Sequence, residues 1–309
     1  MRVNNKKIKP TKYAKLFFYL SIMTLPVIQF IVFYICVNMN SFLLAFKEYS
    51  FVNGQMLEKF VGFDNLREIF VGIFTEQVYL NCIKNSFMFY GISILGGVVC
   101  SLGFSYYIYK KGLFSGFFKV MLYMPNIVSV MVICMMYKFF CNQGFPELIL
   151  NVFGKEITPF ASDLDSQLKY IIFFNFLMSF GANMLVYTGT MSGISDSLIE
   201  AAQIDGVNTF QEFFHIILPS IYQTVALFIA TGMIAIFNGQ ANLYNFFGLE
   251  ASSEHYTFGY YIYMKVTYAG VNYIKFPPLS ALGLTLTAFA VPLIFSVRYL
   301  LLKFGPKDE

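Results

Sequence analysis

Polar side chains inside otherwise apolar stretches are the residues of this 309-residue chain that could do chemistry. They are amides and hydroxyls, and the set comprises Asn126, Asn175, Ser179, Asn183 and Asn238. Asn175, Ser179 and Asn183 recur every fourth residue, which places them on one face of a helix. Because buried amides are costly unless they are paired or wetted, they either hydrogen-bond a neighbouring helix or line a path for a neutral, polyhydroxylated solute.

Catalytic chemistry has no comparable support. The sequence contains no G-x-x-x-x-G-K-[ST] phosphate-binding loop, no G-x-S-x-G nucleophile elbow, and no H-E-x-x-H pattern around His215 or His255. The five cysteines form no C-x-x-C pair, so neither a zinc site nor a disulfide framework is indicated. We therefore predict that the chain is not an enzyme and holds no metal or other cofactor. Ionisable groups are almost absent from the apolar stretches, which disfavours an ion-coupled carrier.

The elements that must position these amides are long apolar helices. Hydrophobic residues make up 57% of the chain and charged residues only 12%. Six blocks are long enough for a bilayer crossing of roughly 20 residues: 16–44, 85–108, 117–140, 169–190, 217–238 and 279–304. The first block follows basic residues, as a secretory signal does, but it is too long and lacks a cleavage site. The blocks predict an all-α polytopic membrane protein whose six transmembrane helices form one domain, 16–304.

Basic residues determine the predicted orientation. With the N-terminus inside, the cytoplasmic segments hold twelve basic and six acidic residues, and the outer segments hold nine basic and eleven acidic residues. The N-terminal tail 1–15, the loop 191–216 and the C-terminal tail 305–309 are then cytoplasmic. The chain is predicted to be a multi-pass protein of the cell membrane.

The loop 191–216 is polar and carries helix signals. Ser197-x-x-Glu200 and Thr209-x-x-Glu212 both have the spacing of a capping box. Gly206 is placed to end a first helix over about 198–205, since glycine tolerates the left-handed stop, and a second helix is predicted to begin near residue 210. On these local signals alone, the loop could be a plain hairpin between two spans.

The loop also matches a known pattern. The letters EAA at 200–202 are followed after three residues by Gly206 and after nine more by I-x-L-P at 216–219. This spacing resembles the EAA loop of binding-protein-dependent ABC importer permeases, in which the loop forms a coupling helix that docks on a cytoplasmic ATPase. The coupling residues implied by the resemblance are Glu200, Ala201, Ala202, Asp205 and Gly206.

The resemblance extends to the segments 60–70, 84–91, 123–144 and 175–202, which are similar to sugar permeases of the maltose-transporter type. It implies the six-helix type I ABC importer permease fold and transport by alternating access. The partners implied are an ATPase dimer, a second permease subunit in a heterodimer, an extracytoplasmic solute-binding protein and a sugar. No nucleic-acid partner is indicated.

The solute is less closely defined than the class of transporter. Asn126, Asn175 and Ser179 match positions at which the maltose-type permease contacts sugar. The Gly-Gly-Pro motif that such permeases often carry after the fifth helix is missing from 242–263, and Gly232 and Ile236 also depart from the pattern. Maltose itself is therefore not implied. Another neutral or zwitterionic solute stays open, as does a self-sufficient secondary transporter.

Overall fold

The computed structural model of the chain describes residues 12–52, 55–270 and 272–306. Most of the predicted N-terminal tail and the end of the C-terminal tail lie outside the described residues, including Arg2, Lys6, Lys7, Lys9, Lys307, Asp308 and Glu309.

Helices make up most of the described chain. In chain order the α-helices and strands are α1 Lys12–Phe30, α2 Val37–Leu44, β1 Lys47–Val52, β2 Gln55–Phe60, α3 Asp64–Thr75, α4 Gln77–Ile94, α5 Ser101–Tyr109, α6 Ser115–Tyr123, α7 Val130–Phe139, α8 Phe145–Phe153, α9 Leu164–Met178, α10 Gly181–Met191, α11 Asp196–Ile204, α12 Thr209–Glu212, α13 Leu218–Ser220, α14 Tyr222–Gly232, α15 Ile234–Asn238, α16 Leu243–Phe247, α17 Phe258–Ala269 and α18 Phe276–Phe304. π-Helical turns at Ile31–Cys36, Leu95–Cys100, Phe140–Gly144 and Phe213–Ile217 connect successive helices.

Four continuous helices within the described residues are long and apolar enough to cross a membrane: the first span Lys15–Leu44, the second span Gln77–Tyr109, the fourth span Leu164–Met191 and the sixth span Tyr273–Phe304. Two bent pairs bring the number up to six if each pair is one span: the third span Ser115–Asn126 with Val130–Phe153, and the fifth span Thr209–Ser220 with Tyr222–Asn238. This helical arrangement agrees with the predicted all-α polytopic class.

The two bends were not predicted. The halves of the third span meet at 97° and those of the fifth at 70°. In the third span a 3₁₀ turn at Met124–Asn126 contains Pro125, and Ser129 has an extended ψ of 124°. In the fifth span Pro219 precedes the break at Ile221. Proline lacks a donor and crowds the carbonyl four residues earlier, so a straight helix cannot continue undisturbed through either segment.

One compact unit comprises described residues of 1–69 and 271–284. It contains an antiparallel hairpin in which β1 and β2 pair from Lys47 opposite Phe60 to Val52 opposite Gln55. The Asn65 side chain donates hydrogen bonds to the carbonyls of Ala45 and Lys47, at 3.0 and 2.8 Å. The hairpin is thereby fixed to the start of α3. These strands were not predicted from the sequence.

The other unit, 70–270 with 285–309, contains the loop and most of the polar intramembrane residues. At its centre the second span packs closely against the fourth. The hydroxyls of Ser101 and Ser105 donate to the carbonyls of Phe180 and Met184, at 3.0 and 2.9 Å. Small residues with hydroxyl donors allow two helix backbones to approach and pair in this way.

The fourth span has a well-defined start. Asp163 is the N-cap of α9, and its carboxylate accepts a hydrogen bond from the Ser166 amide at 2.6 Å. This bond favours the charged form and lowers the pKa of Asp163 below its usual value.

Candidate functional site

The first helix of the loop, α11, begins at Asp196 with Ser195 as its N-cap. The predicted capping box of Ser197 and Glu200 is therefore wrong. The Ser195 hydroxyl pairs with that of Ser197 at 2.7 Å and does not cap the main chain. Because the helix starts before Ser197, Glu200 lies beyond the first turn, and its side chain is exposed.

The same helix ends at Gly206, which has a φ of +76°. The amide of Gly206 donates to the carbonyl of Gln203 and the amide of Val207 to that of Ala202, both at 3.1 Å. This pair of hydrogen bonds is a Schellman motif, which satisfies carbonyls that the helix end would otherwise leave without donors. A left-handed residue is needed at this position, and glycine adopts that conformation at the lowest cost.

The second helical turn, α12, begins at Thr209, and its capping box is shifted by one residue from the predicted one. Asn208 is the N-cap: its side chain accepts from the Gln211 amide at 2.9 Å, while the Gln211 side chain accepts from the Asn208 amide at 3.0 Å. The predicted pair of Thr209 and Glu212 is therefore wrong, because Asn208 already fills the capping position. Glu212 is buried.

The side chains of α11 divide between an exposed and a buried side. Leu198, Ala201 and Ile204 are exposed, and Ile204 has 86% of its surface accessible. The acidic residue Asp205 is also exposed. Ala202 is buried instead, so the two adjacent alanines of the EAA pattern point in different directions.

The buried side of α11 joins a core shared by three spans. Ile199 belongs to one hydrophobic cluster with Leu102 of the second span, Tyr187 of the fourth, and Ile217 and Val225 of the fifth. A force on the exposed side of this helix would therefore reach packed side chains of several membrane-spanning helices.

A polar cavity of about 330 Å³ lies in the same unit. Its wall contains amides, hydroxyls and aromatic rings, from Ser86, Phe89, Tyr90, Ser93, Asn175, Ala235, Gly239, Gln240, Ala241, Asn242, Asn245 and Thr257. The volume falls at the lower end of the range of small-molecule sites. These groups come from the second span, the fourth span, and the end of the fifth span with the segment that follows it.

Asn175 is the predicted pathway residue that lines this cavity. Its amide nitrogen donates to the carbonyls of Ile171 and Ala241, at 2.9 and 3.0 Å. Its oxygen accepts from the Asn242 side chain at 2.9 Å, and the Asn242 oxygen accepts in turn from Asn245 at 3.1 Å. Three amides are thus linked in a chain along the cavity wall.

Ser179 and Asn183 lie at the contact between the second and fourth spans, not in this cavity. The Asn183 amide donates to the Gly97 carbonyl at 2.8 Å, and the Ser179 hydroxyl donates to the Phe176 carbonyl at 2.7 Å. A Cβ at Gly96 would meet the Ser179 hydroxyl and lie 3.0 Å from the Phe176 carbonyl. The four-residue spacing of Asn175, Ser179 and Asn183 therefore serves helix packing at two of its three positions.

Asn126 and Asn238 are both exposed and also do not line this cavity. Asn126 follows Pro125 in the 3₁₀ turn, and its amide group lies against Gly181 at the start of α10, where a Cβ would collide with it. Asn238 ends α15, and its backbone carbonyl faces Gly259. The structure therefore does not bring the five predicted residues to one cavity.

Three residues of the cavity wall were not predicted from the sequence: Gln240, Asn242 and Asn245. The run QANLYN directly after the fifth apolar block was a usable signal, because it places three amides within six residues. Asn242 also has a left-handed φ of +59°, a conformation that asparagine adopts more readily than most residues.

No group of three or more His, Cys, Asp or Glu side chains that could hold a metal ion occurs among the described residues. His215 contacts the carbonyl of Gln211 and His255 that of Leu164. Each imidazole therefore has one main-chain partner, and the second ring nitrogen of His255, Nδ1, is buried with no hydrogen-bond partner within the described residues.

The bent and continuous spans and the glycine-ended loop helix define a polytopic helical membrane protein with a polar cavity among its helices. The chain belongs to the family of binding-protein-dependent transport system inner membrane components, which matches residues 93–306. The predicted family and fold class are thereby confirmed. The chain is a transport component of a membrane, and it crosses that membrane several times.

Individual relatives agree with this assignment. The chain is 27% identical over 248 residues to the probable ABC transporter permease protein YurN of Bacillus subtilis, covering 76% of this chain and 78% of YurN. It is 27% identical to the galactooligosaccharides transport system permease protein GanP of the same organism, covering 67% of this chain and 51% of GanP.

A solved structure shows the same fold. A chain of a bacterial ABC transporter involved in the import of the acidic polysaccharide alginate superimposes with a TM-score of 0.73 at 20% identity. The alignment covers 95% of this chain and 98% of the other.

Proposed function

We infer that this chain is the permease subunit of an ATP-driven importer of carbohydrate-like solutes. Family membership gives the class of transporter, and the names of GanP and of the alginate importer favour a sugar. The observation that carries the proposal is α11, which exposes Leu198, Ala201 and Ile204 while Ile199 packs among three spans. An exposed apolar surface on a rigid, capped helix is suited to docking in the groove of another protein.

The energy for transport comes from the protein that docks on α11. The sequence has no phosphate-binding loop, so the chain does not hydrolyse ATP itself. A cytoplasmic ATPase dimer docks on Ala201, Glu200 and their neighbours up to Gly206. A second permease subunit completes the path as a heterodimer, and an extracytoplasmic binding protein delivers the solute. Alternating access follows when closure of the ATPase dimer moves the loop helices.

The cavity at Asn175 is the proposed solute site. Amide and hydroxyl groups pair with the hydroxyls of a neutral sugar, and the rings of Phe89 and Tyr90 offer faces to its apolar side. A different neutral or zwitterionic solute fits the same donors and acceptors and is the alternative within the family. A self-sufficient secondary transporter is less favoured, because the cavity wall contains no ionisable carboxylate or base.

In this proposal the cytoplasmic side holds both terminal tails, 1–15 and 305–309, and the loop 191–216. Twelve of the 21 basic residues fall on that side. Reporter fusions after residues 113 and 207 are expected to be internal, and fusions after 55, 155 and 260 external. A reliable reversal at one of these positions would overturn the orientation.

The function is tested in proteoliposomes that contain the chain with its paired permease and ATPase. With ATP inside the vesicles and the binding protein, loaded with labelled oligosaccharide, outside, the labelled oligosaccharide should accumulate inside. Omission of ATP or of the binding protein should abolish it. The purified chain alone should hydrolyse no ATP, and turnover in a preparation free of the ATPase would contradict the subunit assignment.

A further inference from the structure

The second span and the loop are joined by an ion pair, buried on its Glu212 side, that their sequence positions do not suggest. Lys110 follows the last residue of α5, and Glu212 is the last residue of α12. The Lys110 Nζ lies 2.9 Å from one carboxylate oxygen of Glu212 and 3.0 Å from the other. The Glu212 side chain is only 5% exposed, whereas the Lys110 side chain is 33% exposed.

Neighbouring groups strengthen the same junction. The Tyr106 hydroxyl donates to the Thr209 carbonyl at 3.2 Å. The rings of Tyr106 and Phe213 have centroids 5.0 Å apart at a tilted angle. One turn of the second span therefore contacts both ends of α12.

Glu212 differs from the other acidic residues of the loop. Asp196, Glu200 and Asp205 are exposed. Removing a carboxylate from water is unfavourable unless a cation compensates it, and breaking a buried pair is worse than replacing both partners. A carboxylate at this position is therefore explained by the pairing it makes with Lys110, not by local capping of α12.

The helix that ends just before Lys110 also contributes to the cavity wall. Ser86, Phe89, Tyr90 and Ser93 of the second span line the cavity that contains Asn175. The π-helical turn Leu95–Cys100 lies between these residues and Lys110. Interruptions of this kind recur at functional sites in helices. One continuous helix thus connects the loop to one side of the cavity.

We propose that Lys110 and Glu212 are positioning residues for transport: their ion pair couples displacement of the loop to displacement of the second span and its cavity wall. The inference rests on the proposed function, since it requires an ATPase that moves the loop. It assigns coupling to a direct link from the loop to the second span, in addition to the covalent link from the loop into the fifth span.

The test uses the complete reconstituted complex and measures solute uptake and ATP hydrolysis in the same vesicles. Lys110→Met and Glu212→Gln should each lower the solute transported per ATP by tenfold or more while the ATPase stays bound. Lys110→Arg, which keeps the charge, should stay within about threefold of wild type. Lys111→Met is the matched control, because Lys111 is the adjacent lysine, is exposed, and forms no ion pair within the described residues.

Two further variants separate coupling from folding. The charge exchange Lys110→Glu with Glu212→Lys should recover at least part of the transport lost in the single variants. The double neutral variant Lys110→Met with Glu212→Gln leaves no unpaired buried charge, so it should assemble yet stay uncoupled. Wild-type coupling in the double neutral variant would overturn the proposal, as would wild-type coupling in both single variants.

Failure of the ion-pair coupling can be distinguished from failure of the proposed function. A wild-type complex that takes up no solute with ATP and binding protein would refute the importer assignment itself. A wild-type complex that transports normally, with charge variants that transport equally well per ATP, would refute only the ion-pair coupling.

Discussion

The Asn175 oxygen accepts a hydrogen bond from the Asn242 side chain at 2.9 Å, and this contact joins the fourth span to the segment that follows the fifth. The two residues are 67 positions apart. Because Asn175 also donates to the Ala241 carbonyl, its side chain is held by both of its polar atoms. The cavity wall at this point is therefore preorganised, which would reduce the cost of ordering it for the proposed binding of solute.

Replacing Asn175 by Leu is predicted to impair uptake while the complex still assembles. The substitution removes an amide of the cavity wall, the proposed solute contact, and leaves Asn242 without its acceptor; a lost hydrogen bond of this kind costs about 1 kcal/mol or more. The measurement is initial uptake against solute concentration, with an expected rise in apparent KM of about fivefold or more. Asn238→Leu is the control, because Asn238 does not line this cavity. Equal kinetics for both variants and the wild type would assign Asn175 to packing.

Ile204→Glu is predicted to weaken retention of the ATPase. Ile204 is 86% exposed on α11 and would be buried in the docked complex, where an unpaired carboxylate is unfavourable. Co-purification of the ATPase at graded salt concentrations measures the effect. Gln203→Glu introduces the same charge on the adjacent exposed residue and is expected to be milder. Full retention of the ATPase by the Ile204 variant would place the docking surface elsewhere.

Gly96→Ala is predicted to destabilise the contact between the second and fourth spans. An added Cβ would collide with the Ser179 hydroxyl and approach the Phe176 carbonyl to 3.0 Å, and overpacking of this kind costs roughly 1–3 kcal/mol. Thermal unfolding of the detergent-solubilised complex should shift to lower temperature. Gly103→Ala is the control on the same span, where a Cβ would have no neighbour within 4 Å. An unchanged unfolding temperature for the Gly96 variant would mean that the contact can relax.

The sequence was sufficient to predict the class of fold and the stop of the loop helix. Block lengths reflect the thickness of a membrane, and Gly206 lies where a left-handed residue is required. The caps were predicted less well, because several polar residues compete for each position: Ser195 precedes Ser197, and Asn208 precedes Thr209. Local spacing cannot decide which of two neighbouring polar side chains begins a helix.

The cavity was only partly predictable for a different reason. Asn175 was identified from its depth in an apolar block, but its partner Asn242 lies in a turn whose left-handed backbone is not encoded by a spacing rule. The pairing of Lys110 with Glu212 spans 102 residues. Contacts of this range depend on how the spans pack, which hydrophobic periodicity does not specify.

The substitution Gly206→Val tests the central claim, that the loop transmits energy from an ATPase, most directly. A Cβ at Gly206 would meet nothing within 4 Å, so the expected penalty is conformational, on the order of 1–2 kcal/mol for a left-handed residue with a side chain. The substitution should therefore disturb the helix stop and leave the spans intact. Gly189→Val is the control, because Gly189 also has open space around its Cβ but lies inside helix α10.

The measurement is ATPase content, ATP hydrolysis and solute uptake of the purified, reconstituted complex. We predict that the Gly206 variant loses the ATPase or hydrolyses ATP without corresponding uptake, while the Gly189 variant behaves as wild type. Wild-type ATPase content, hydrolysis and uptake in the Gly206 variant would contradict the account and make the loop a simple connection between two spans.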